Sequence, residues 1–517
     1  MMYADLFNEV LGPVMAGPSS SHTAGPARLG HMVHDLCGGI PKVVRIHFSA
    51  SGSYASSYRG QGSDKGFAAG LLGFAPDDAR VYDALTLAPQ MGVDLQFVIV
   101  DDPYPHNNSA LIACTLADGS ELRVFTASIG GGAIRMQQID NLPVELAGGA
   151  YELVLWGERP VQAQAAALFG APSFENNTLC VFSFDRVPDL EAARAIDGVL
   201  RVRLIRPVVP SVVRFDARPP FANAHELQAF LHEHPMPLDQ AAIAYQHEMN
   251  GWDEAQILQR CELLLQKMES SVQTGLACNG RGFTYLTPHA RDLQHAQQQG
   301  RFLPTGLLDV ATVYATAVME ANRSMHTVVA IPTAGSSGVL PAVLLSAMQA
   351  GVFSREQCKR GLLVAGLIGL FISHQAAFTG STGGCAVENG SASAMAAAAL
   401  CHMAGHDAQT SLRAAGIALQ NLIGLACDPV AGGIEIPCIH RNAMAAANAY
   451  VCANMAIGGF DPYLPLDEVI VALHEAGKLM APQLRCMGYG GLAGTPTGHY
   501  IADQLHAGCP FVQKRSQ

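Results

Sequence analysis

The sequence is poor in charged residues. Only 14% of its 517 residues are Asp, Glu, Lys or Arg, against about 25% in an average soluble domain, whereas 49% are hydrophobic. A disordered scaffold has the opposite balance and is excluded. Basic residues are the scarcer kind, 31 against 43 acidic ones, and the net charge of −12 argues against general nucleic-acid binding. No polybasic segment indicates an anionic membrane surface.

Long apolar runs and a dense cysteine framework are also missing. The longest apolar run, residues 361–372, has about half of the roughly twenty residues that a membrane-spanning helix needs, so we expect a buried core helix. The first residues include an early acid and lack the basic and apolar regions of a signal peptide. Thirteen cysteines are too few for a disulfide scaffold in a chain of this length. These absences predict a cytoplasmic protein with reduced thiols.

Composition predicts a multidomain protein. Residues 1–148 alternate β-rich runs with Gly-rich turns and a few helical patches, which is typical of an α/β or α+β domain. Residues 150–208 predict a small α+β module in a βαββ-like order. Prolines mark a linker at 209–222. The predicted strands lie at 43–48, 95–100, 109–115, 121–125, 151–156, 178–184 and 200–205, and a helical patch lies at 161–168.

Residues 223–517 predict an all-α domain. Residues 254–268 are amphipathic, whereas 391–403 and 443–456 are rich in alanine and nearly uncharged. Helices with no polar face have to be buried. We therefore expect a buried central helix surrounded by others.

Three serines, a histidine and a threonine stand together between two Gly-Pro pairs, in residues 17–26. They predict a polar loop entering a helix near Ala27, where backbone N–H groups can receive a carboxylate. His22 is a candidate general base because its ordinary pKa lies near neutral pH. The accompanying hydroxyl groups are Ser20, Ser21 and Thr23. The alternative is an ordinary helix cap beside an exposed histidine.

A second polar turn, residues 331–341, also precedes a predicted helix. Thr333 and Ser336 make it a candidate anion cradle. It lacks the lysine of a phosphate-binding P-loop, which argues against nucleotide binding. A plain helix-to-helix turn is the alternative.

Three cysteines stand in Gly- or Pro-containing segments of the helical part: Cys385, Cys427 and Cys438. Their wide spacing does not match a zinc ribbon, which has close CxxC pairs. Three thiolates from separate segments could hold one metal centre, and on an iron–sulfur cube they would leave one iron without a protein thiolate. The alternative is that all three are small buried core residues.

Taken together, these segments resemble the iron–sulfur-dependent L-serine dehydratases, or L-serine ammonia-lyases. Further blocks of the chain match the family in the same order, and only residues 150–290 match loosely. The further blocks are residues 52–55, 58–64, 128–132 and 490–498.

The resemblance implies a β-chain-like domain over 1–148, a degenerate ACT-like module over 150–208 and an α-chain-like catalytic domain over 223–517.

Cys385, Cys427 and Cys438 match the cysteines that hold a [4Fe–4S] cluster. Ser20, Ser21, His22 and Thr23 match the active-site loop of the N-terminal domain. Arg441 and Asn442 match a polar pair suited to a substrate carboxylate. Cys509 matches a tail cysteine that occupies the open iron when substrate is absent, and the family implies a homodimer.

The implied activity is pyridoxal-phosphate-independent dehydration and deamination of L-serine to pyruvate and ammonia. His22, or a deprotonated serine of the same loop, would remove the Cα proton. Three alternatives stay open. The first is the same chemistry on threonine, another hydroxy-amino acid or cysteine. The second is a non-catalytic amino-acid-binding regulator, and the third is a structural zinc site. The chain departs from the family pattern at residues 284–290, His326 and Asn389, which places the substrate in question more than the reaction.

Overall fold

The structure is a computed structural model that describes residues 3–214, 217–376, 378, 380–485 and 490–506. It divides into two compact units. The helical unit comprises the described residues within Met1–Ser19, Pro219–His247 and Trp252–Gln517, and the α/β unit comprises those within Ser20–Arg218 and Glu248–Gly251. The predicted domain 1–148 differs from this division at its start, because residues before Ser20 cluster with the helices.

The strands of the described residues are β1 (Val14–Ala16), β2 (Val43–Ser49), β3 (Asp94–Val100), β4 (Ser109–Thr115), β5 (Glu121–Gly130), β6 (Ala133–Ile139), β7 (Leu142–Leu146), β8 (Tyr151–Trp156), β9 (Phe174–Glu175), β10 (Leu179–Phe184), β11 (Arg201–Ile205) and β12 (Thr327–Val329). Helices of the α/β unit and its border are α1 (Gly25–Cys37), α2 (Ser53–Ser57), α3 (Ser63–Leu71), α4 (Ala84–Gln90), α5 (Arg159–Phe169) and α6 (Leu190–Arg194). The later helices are α7 (Ala224–Glu233), α8 (Leu238–Asn250), α9 (Glu254–Leu276), α10 (Ala290–Gln298), α11 (Leu307–Arg323), α12 (Val339–Gln349), α13 (Arg355–Gln375), α14 (Gly380–Cys385), α15 (Ser391–Met403), α16 (Ala408–Gln420), α17 (Cys438–Ile457), α18 (Leu466–Leu479) and α19 (Pro496–His506).

A six-stranded sheet organises the first part of the α/β unit, in the order β3-β2-β4-β5-β6-β7. β2 and β3 are parallel and the other pairs antiparallel. The parallel pair needs a crossover, which α2, α3 and α4 supply. Helices α1 and α3 touch backbone to backbone at Gly30 and Gly70, where a Cβ on Gly70 would lie 2.1 Å from the carbonyl oxygen of Ala27. The close contact therefore requires glycine.

The module over 150–208 is a second, antiparallel sheet in the order β11-β8-β10-β9. Its elements follow the order βαββαβ, that of ferredoxin-like folds. The structure thus adds a short strand, β9, and a second helix, α6, to the predicted βαββ order, whose last strand is β11. The core of the module is apolar and includes Leu153, Leu155, Cys180 and Phe182.

The helical unit buries its uncharged helices. The predicted core helix at 361–372 lies inside α13, and its residues are buried. Every residue of α15 is buried except His402, as its alanine-rich composition predicted. α17 differs, because Met444 and Val451 are 37% and 51% exposed. Among the described residues, no helix is both long and apolar enough to cross a membrane.

The predicted all-α character of the C-terminal part is wrong at one element. β12 forms an antiparallel pair with β1, both within the helical unit. Val328 and Val329 are buried in this pair, and β-branched residues favour strands. A three-residue strand whose partner lies about three hundred residues earlier leaves too weak a local signal for sequence reasoning.

A buried carboxylate, Asp239, links α8 to α13 and α15. The Asp239 carboxylate lies 2.7 Å from Nη1 of Arg360 and 3.3 Å from Nε2 of His402. Burial opposes ionisation, but hydrogen bonds from His402 and Arg360 outweigh it and lower the pKa of Asp239 to about 2. A carboxyl group whose pKa is lowered on folding adds stability above its unfolded pKa of about 3.9 and loses it as the pH falls.

The substitution Asp239→Asn should therefore lower the free energy of unfolding by about 2 kcal/mol at pH 7. The difference from wild type should shrink as the pH drops from 4 towards 2. Urea unfolding at a series of pH values measures both effects. The control is Asp461→Asn, since Asp461 pairs with Arg413 at the surface and should change stability by less than about 1 kcal/mol. Equal stability of Asp239→Asn and wild type at pH 7 would contradict the assignment.

Candidate active site

The three predicted cluster cysteines occupy helix ends and loops of the helical unit. Cys385 ends α14, Cys427 lies in the loop between α16 and α17, and Cys438 is the first residue of α17. Their exposed fractions are 3%, 4% and 6%. Backbone groups at helix ends and in loops are free to form hydrogen bonds with other segments. Such positions can therefore bring residues that are distant in sequence close together.

Two of these cysteines meet a carboxylate. The Sγ atoms of Cys385 and Cys427 and a carboxylate oxygen of Glu388 all lie within 4.8 Å of one another. Among the described residues, this is the group that could hold a metal ion, and Cys438 is not part of it. Glu388 was missed by sequence reasoning, although its position three residues after Cys385, at the entrance to a helix, was an available signal.

The backbone brings the two cysteine segments together. The N–H of Ala386, next to Cys385, donates to the carbonyl of Leu425, two residues before Cys427, at 3.1 Å. The N–H of Cys427 itself donates to the carbonyl of Leu484 at 2.8 Å. Gly384 has φ of +66°, and a Cβ there would lie 2.7 Å from the Leu425 oxygen. The turn before Cys385 thus requires glycine at 384.

Arg441 places a positive charge beside the cysteines. Its Nη1 donates to Cys385 Sγ at 3.4 Å and to the Ala426 carbonyl at 2.6 Å, and its Nη2 lies 2.9 Å from Asp428 Oδ1. Burial opposes the charge, yet Cys385 and Asp428 outweigh it and raise the pKa of Arg441. These contacts use three of the five N–H groups of a guanidinium.

Asn442 has a different role from the predicted substrate contact. Its side chain is fully buried, and its Oδ1 accepts from the N–H of Gly338 at 2.9 Å. Its Nδ2 donates to the carbonyls of Gly335 and Cys438, at 2.8 and 2.9 Å. Both amide hydrogens are thereby used. Asn442 holds the 331–341 turn against the start of α17 rather than offering donors to a ligand.

The predicted anion cradle receives a carboxylate of the chain itself. Thr333 Oγ1 donates to Glu388 Oε1 at 2.9 Å. Ser336, fully buried, donates to the carbonyl of Ile331 at 3.0 Å. Burial raises the pKa of Glu388, opposed by the hydrogen bond from Thr333. The turn therefore orients Glu388 towards the cysteine group.

In the α/β unit, His22 is buried rather than exposed. The predicted polar loop forms one turn of π-helix over Ser20–Ala24, and α1 follows at Gly25, close to the predicted helix start near Ala27. The alternative of an exposed histidine is wrong, because His22 is 6% exposed. Burial lowers its pKa to about 4, so the ring is neutral at pH 7.

Both ring nitrogens of His22 face serine hydroxyls. Nδ1 lies 2.9 Å from Ser21 Oγ, and Nε2 lies 3.0 Å from Ser53 Oγ. The Tyr54 ring meets the imidazole edge-on at 5.1 Å between centroids. Ser53 lies in the block 52–55 that resembles the family, but the sequence analysis did not predict it as a site residue.

The remaining predicted hydroxyls lie in the same turn. Thr23 is 1% exposed and donates to the carbonyl of Gln61 at 2.7 Å, and Ser20 is 4% exposed. The turn is therefore packed against the 52–64 segment within the α/β unit. Cys509, the predicted tail ligand, lies outside the described residues.

Two family models match the chain. The model described as the serine dehydratase alpha chain matches residues 217–493, and that described as the serine dehydratase beta chain matches residues 5–91. The chain belongs to the serine dehydratase family. It is therefore an enzyme of the lyase class. The alpha-chain match covers all three cysteines and Arg441, and the beta-chain match covers the His22 turn and Ser53.

Individual members of the family match over long stretches. The chain is 40% identical to the probable L-serine dehydratase, alpha chain, of Bacillus subtilis over 292 residues, 56% of this chain and 96% of that protein. It is 27% identical to the L-serine dehydratase of Helicobacter pylori (strain ATCC 700392 / 26695) over 513 residues, 93% and 96% of the two chains. It is 28% identical to L-serine dehydratase 2 of Escherichia coli over 492 residues, 92% and 96% of the two chains.

Proposed function

We propose that the chain dehydrates and deaminates L-serine to pyruvate and ammonia with a [4Fe–4S] cluster and without pyridoxal phosphate. The observation that carries the proposal is the group formed by the buried Cys385 and Cys427 with the half-buried Glu388. It stands in a chain of the serine dehydratase family, whose nearly full-length relatives are named L-serine dehydratases.

The donor set fits an iron–sulfur cluster. Thiolates are the ligands that these clusters use, and cysteines 385, 427 and 438 are all buried. Arg441 donates to Cys385 Sγ and so lies directly beside one of the candidate metal ligands. Cys385, Cys427 and Cys438 would hold the cluster, which would supply Lewis-acid stabilisation of the leaving hydroxyl.

Arg441 is the residue that we propose to bind the substrate carboxylate. Within the described part of the chain, the three contacts above leave two of its N–H groups for a ligand, and a guanidinium matches carboxylate geometry. Its existing ion pair with Asp428 fixes its direction. Asn442, whose amide hydrogens are both used, contributes by holding the 331–341 turn.

His22 is the base that we propose to remove the Cα proton. At neutral pH its uncharged ring has one nitrogen able to accept a proton, and the two serines fix the ring orientation. A base with a pKa of about 4 is weak, and a bound cluster would supply the Lewis acidity that makes the substrate Cα–H more acidic.

The pH dependence of the reaction should report His22. If burial lowers the pKa of His22 to about 4, kcat/KM should fall on the acid side only as the pH approaches 4, since protonation removes the base. An unperturbed histidine would give that fall near 6.5. The profile is measured anaerobically, with circular dichroism at each pH to confirm folding. An acid limb centred near 6.5 would contradict this role.

Substrate choice is tested by a panel of amino acids. Keto acid and ammonia are measured anaerobically from L-serine, L-threonine, L-cysteine and D-serine at equal concentrations. We expect L-serine to have the highest kcat/KM. A larger value for threonine or cysteine would move the proposal to that substrate and leave the reaction unchanged.

The module over 150–208 is proposed to be ACT-like. Its βαββαβ order and antiparallel sheet support this, because ACT-type modules resemble that topology. Titrating the chain with L-serine and following Trp156 fluorescence tests ligand binding here, since Trp156 ends β8 and donates to Asp140.

A further inference from the structure

The loop between Cys427 and Cys438 is anchored by a distant segment of the helical unit, residues 284–286. The anchor is Glu435, which is fully buried. Its carboxylate accepts hydrogen bonds from the N–H and Oγ1 of Thr284, at 2.9 and 2.6 Å, and from the N–H of Leu286 at 2.9 Å. A further, longer bond at 3.3 Å comes from the N–H of Tyr285.

Arg323 supplies the balancing charge. Its Nε, at the end of α11, donates to Glu435 Oε1 at 2.8 Å, and the two side chains are 8% and 0% exposed. Removing one partner of a buried pair leaves an uncompensated charge, which is strongly unfavourable. Glu435, the 284–286 segment and the end of α11 therefore form one connected unit.

Tyr285 closes the loop across its two ends. Its hydroxyl donates to the carbonyl of Val430 at 3.1 Å and accepts from the N–H of Ile436 at 3.2 Å. Val430 is three residues after Cys427 and Ile436 is two before Cys438. The Tyr285 hydroxyl thus bridges two residues that the backbone also joins, since the N–H of Val430 donates to the carbonyl of Ile436 at 2.9 Å.

The same segment packs on the second cysteine. Cys438 belongs to a small apolar cluster with Met319 and Ile439, against which Phe283 and Leu286 are packed. Residues 284–290 are also where the sequence departs from the family pattern. The departure therefore falls on residues that touch the cysteine loop.

We propose that Glu435 and Tyr285 are positioning residues that hold the loop between Cys427 and Cys438 in the conformation that binds the metal. The inference rests on the proposed function, because it requires these cysteines to be ligands. Neither residue is assigned a contact with substrate. They act through the cysteines, as the hydrogen-bond partners of metal ligands generally do.

The test uses Glu435→Gln and Tyr285→Phe in the full chain. Each has a matched control. Glu320→Gln removes another buried carboxylate, which accepts from the N–H groups of His289 and Ala290 at 2.6 and 3.1 Å and, among the described residues, makes no hydrogen bond to the cysteine loop. Tyr450 lies on α17, away from the cysteine loop, and Tyr450→Phe removes a hydroxyl that donates to the Val343 carbonyl at 3.1 Å.

All five proteins are reconstituted anaerobically with iron and sulfide. Iron per chain, visible absorption and the chelator concentration that bleaches half of the absorption are measured. We expect Glu435→Gln and Tyr285→Phe to lose metal affinity by about 10- to 100-fold, as loss of such partners usually does, and both controls to stay within about twofold of wild type. The KM for L-serine of the fraction that retains metal should be unchanged within about twofold.

Equal chelator sensitivity of wild type, Glu435→Gln and Tyr285→Phe overturns the inference alone. So does an equal loss in the controls, because the effect would then be general destabilisation. If Glu435→Gln does not fold by circular dichroism, Tyr285→Phe decides, since it keeps the ring and all charges. A wild-type chain that binds no iron overturns the proposed function, and the inference with it.

Discussion

Replacing Cys385 by alanine should remove bound iron and L-serine dehydration together. Cys385 is a buried member of the group with Cys427 and Glu388, and its sulfur accepts from Arg441. Without it, two candidate thiolates remain. Metal-ion Lewis acidity supplies several kcal/mol of stabilisation, so kcat should fall by ~10³-fold or more. Iron per chain, visible absorption and anaerobic pyruvate formation are measured on the same preparation.

The matched control is Cys401→Ala. Cys401 is a fully buried cysteine of α15, and its thiol contacts the Ala453 carbonyl rather than the metal group. It should keep wild-type iron content and activity, with a small loss of stability from the removed sulfur. A Cys385→Ala enzyme with wild-type kcat would contradict the cluster assignment.

Replacing His22 by asparagine should lower kcat by ~10²- to 10⁴-fold, the usual contribution of a general base. Iron content should not change, because His22 belongs to the α/β unit and is not among the candidate metal ligands. Asparagine keeps hydrogen-bonding groups near Ser21 and Ser53 but has no basic nitrogen. Turnover and KM are measured under anaerobic conditions.

His34→Asn is the control for this change. His34 lies in the same unit, near the end of α1, where its Nδ1 meets the carbonyl of Leu71 at 2.9 Å. It should retain wild-type turnover. If His22→Asn keeps more than half of the wild-type kcat, the base lies elsewhere. A large loss in Ser53→Ala or Ser21→Ala, with His22→Asn still active, would then assign that function to a serine.

The predicted strands and long helices follow from local pattern. The runs at 43–48 and 95–100 became β2 and β3 with nearly the same bounds, because their β-branched and aromatic residues alternate in burial. The amphipathic stretch at 254–268 became α9, with Ile257, Cys261 and Leu264 on the buried side, as a period of 3.6 residues requires.

The site was less accessible to sequence reasoning because its residues meet only in three dimensions. Cysteine spacing did not separate metal ligands from core cysteines, and the family resemblance made the distinction. The spacing of Glu388 from Cys385 is a local signal, but its proximity to Cys427 is recognisable only in the folded structure. The contacts of Glu435 with Thr284 span 151 residues, and no local pattern reports such a pair. Burial of His22 likewise depends on the 52–64 segment.

The most direct test of the account is one measurement on wild-type chain purified without oxygen. Iron and acid-labile sulfide are determined, and pyruvate formation from L-serine is followed before and after the iron is chelated. The account predicts a brown protein with about four iron atoms per chain and loss of turnover when iron is removed. A colourless protein that holds zinc, or one that forms pyruvate at the full rate without iron, would contradict it.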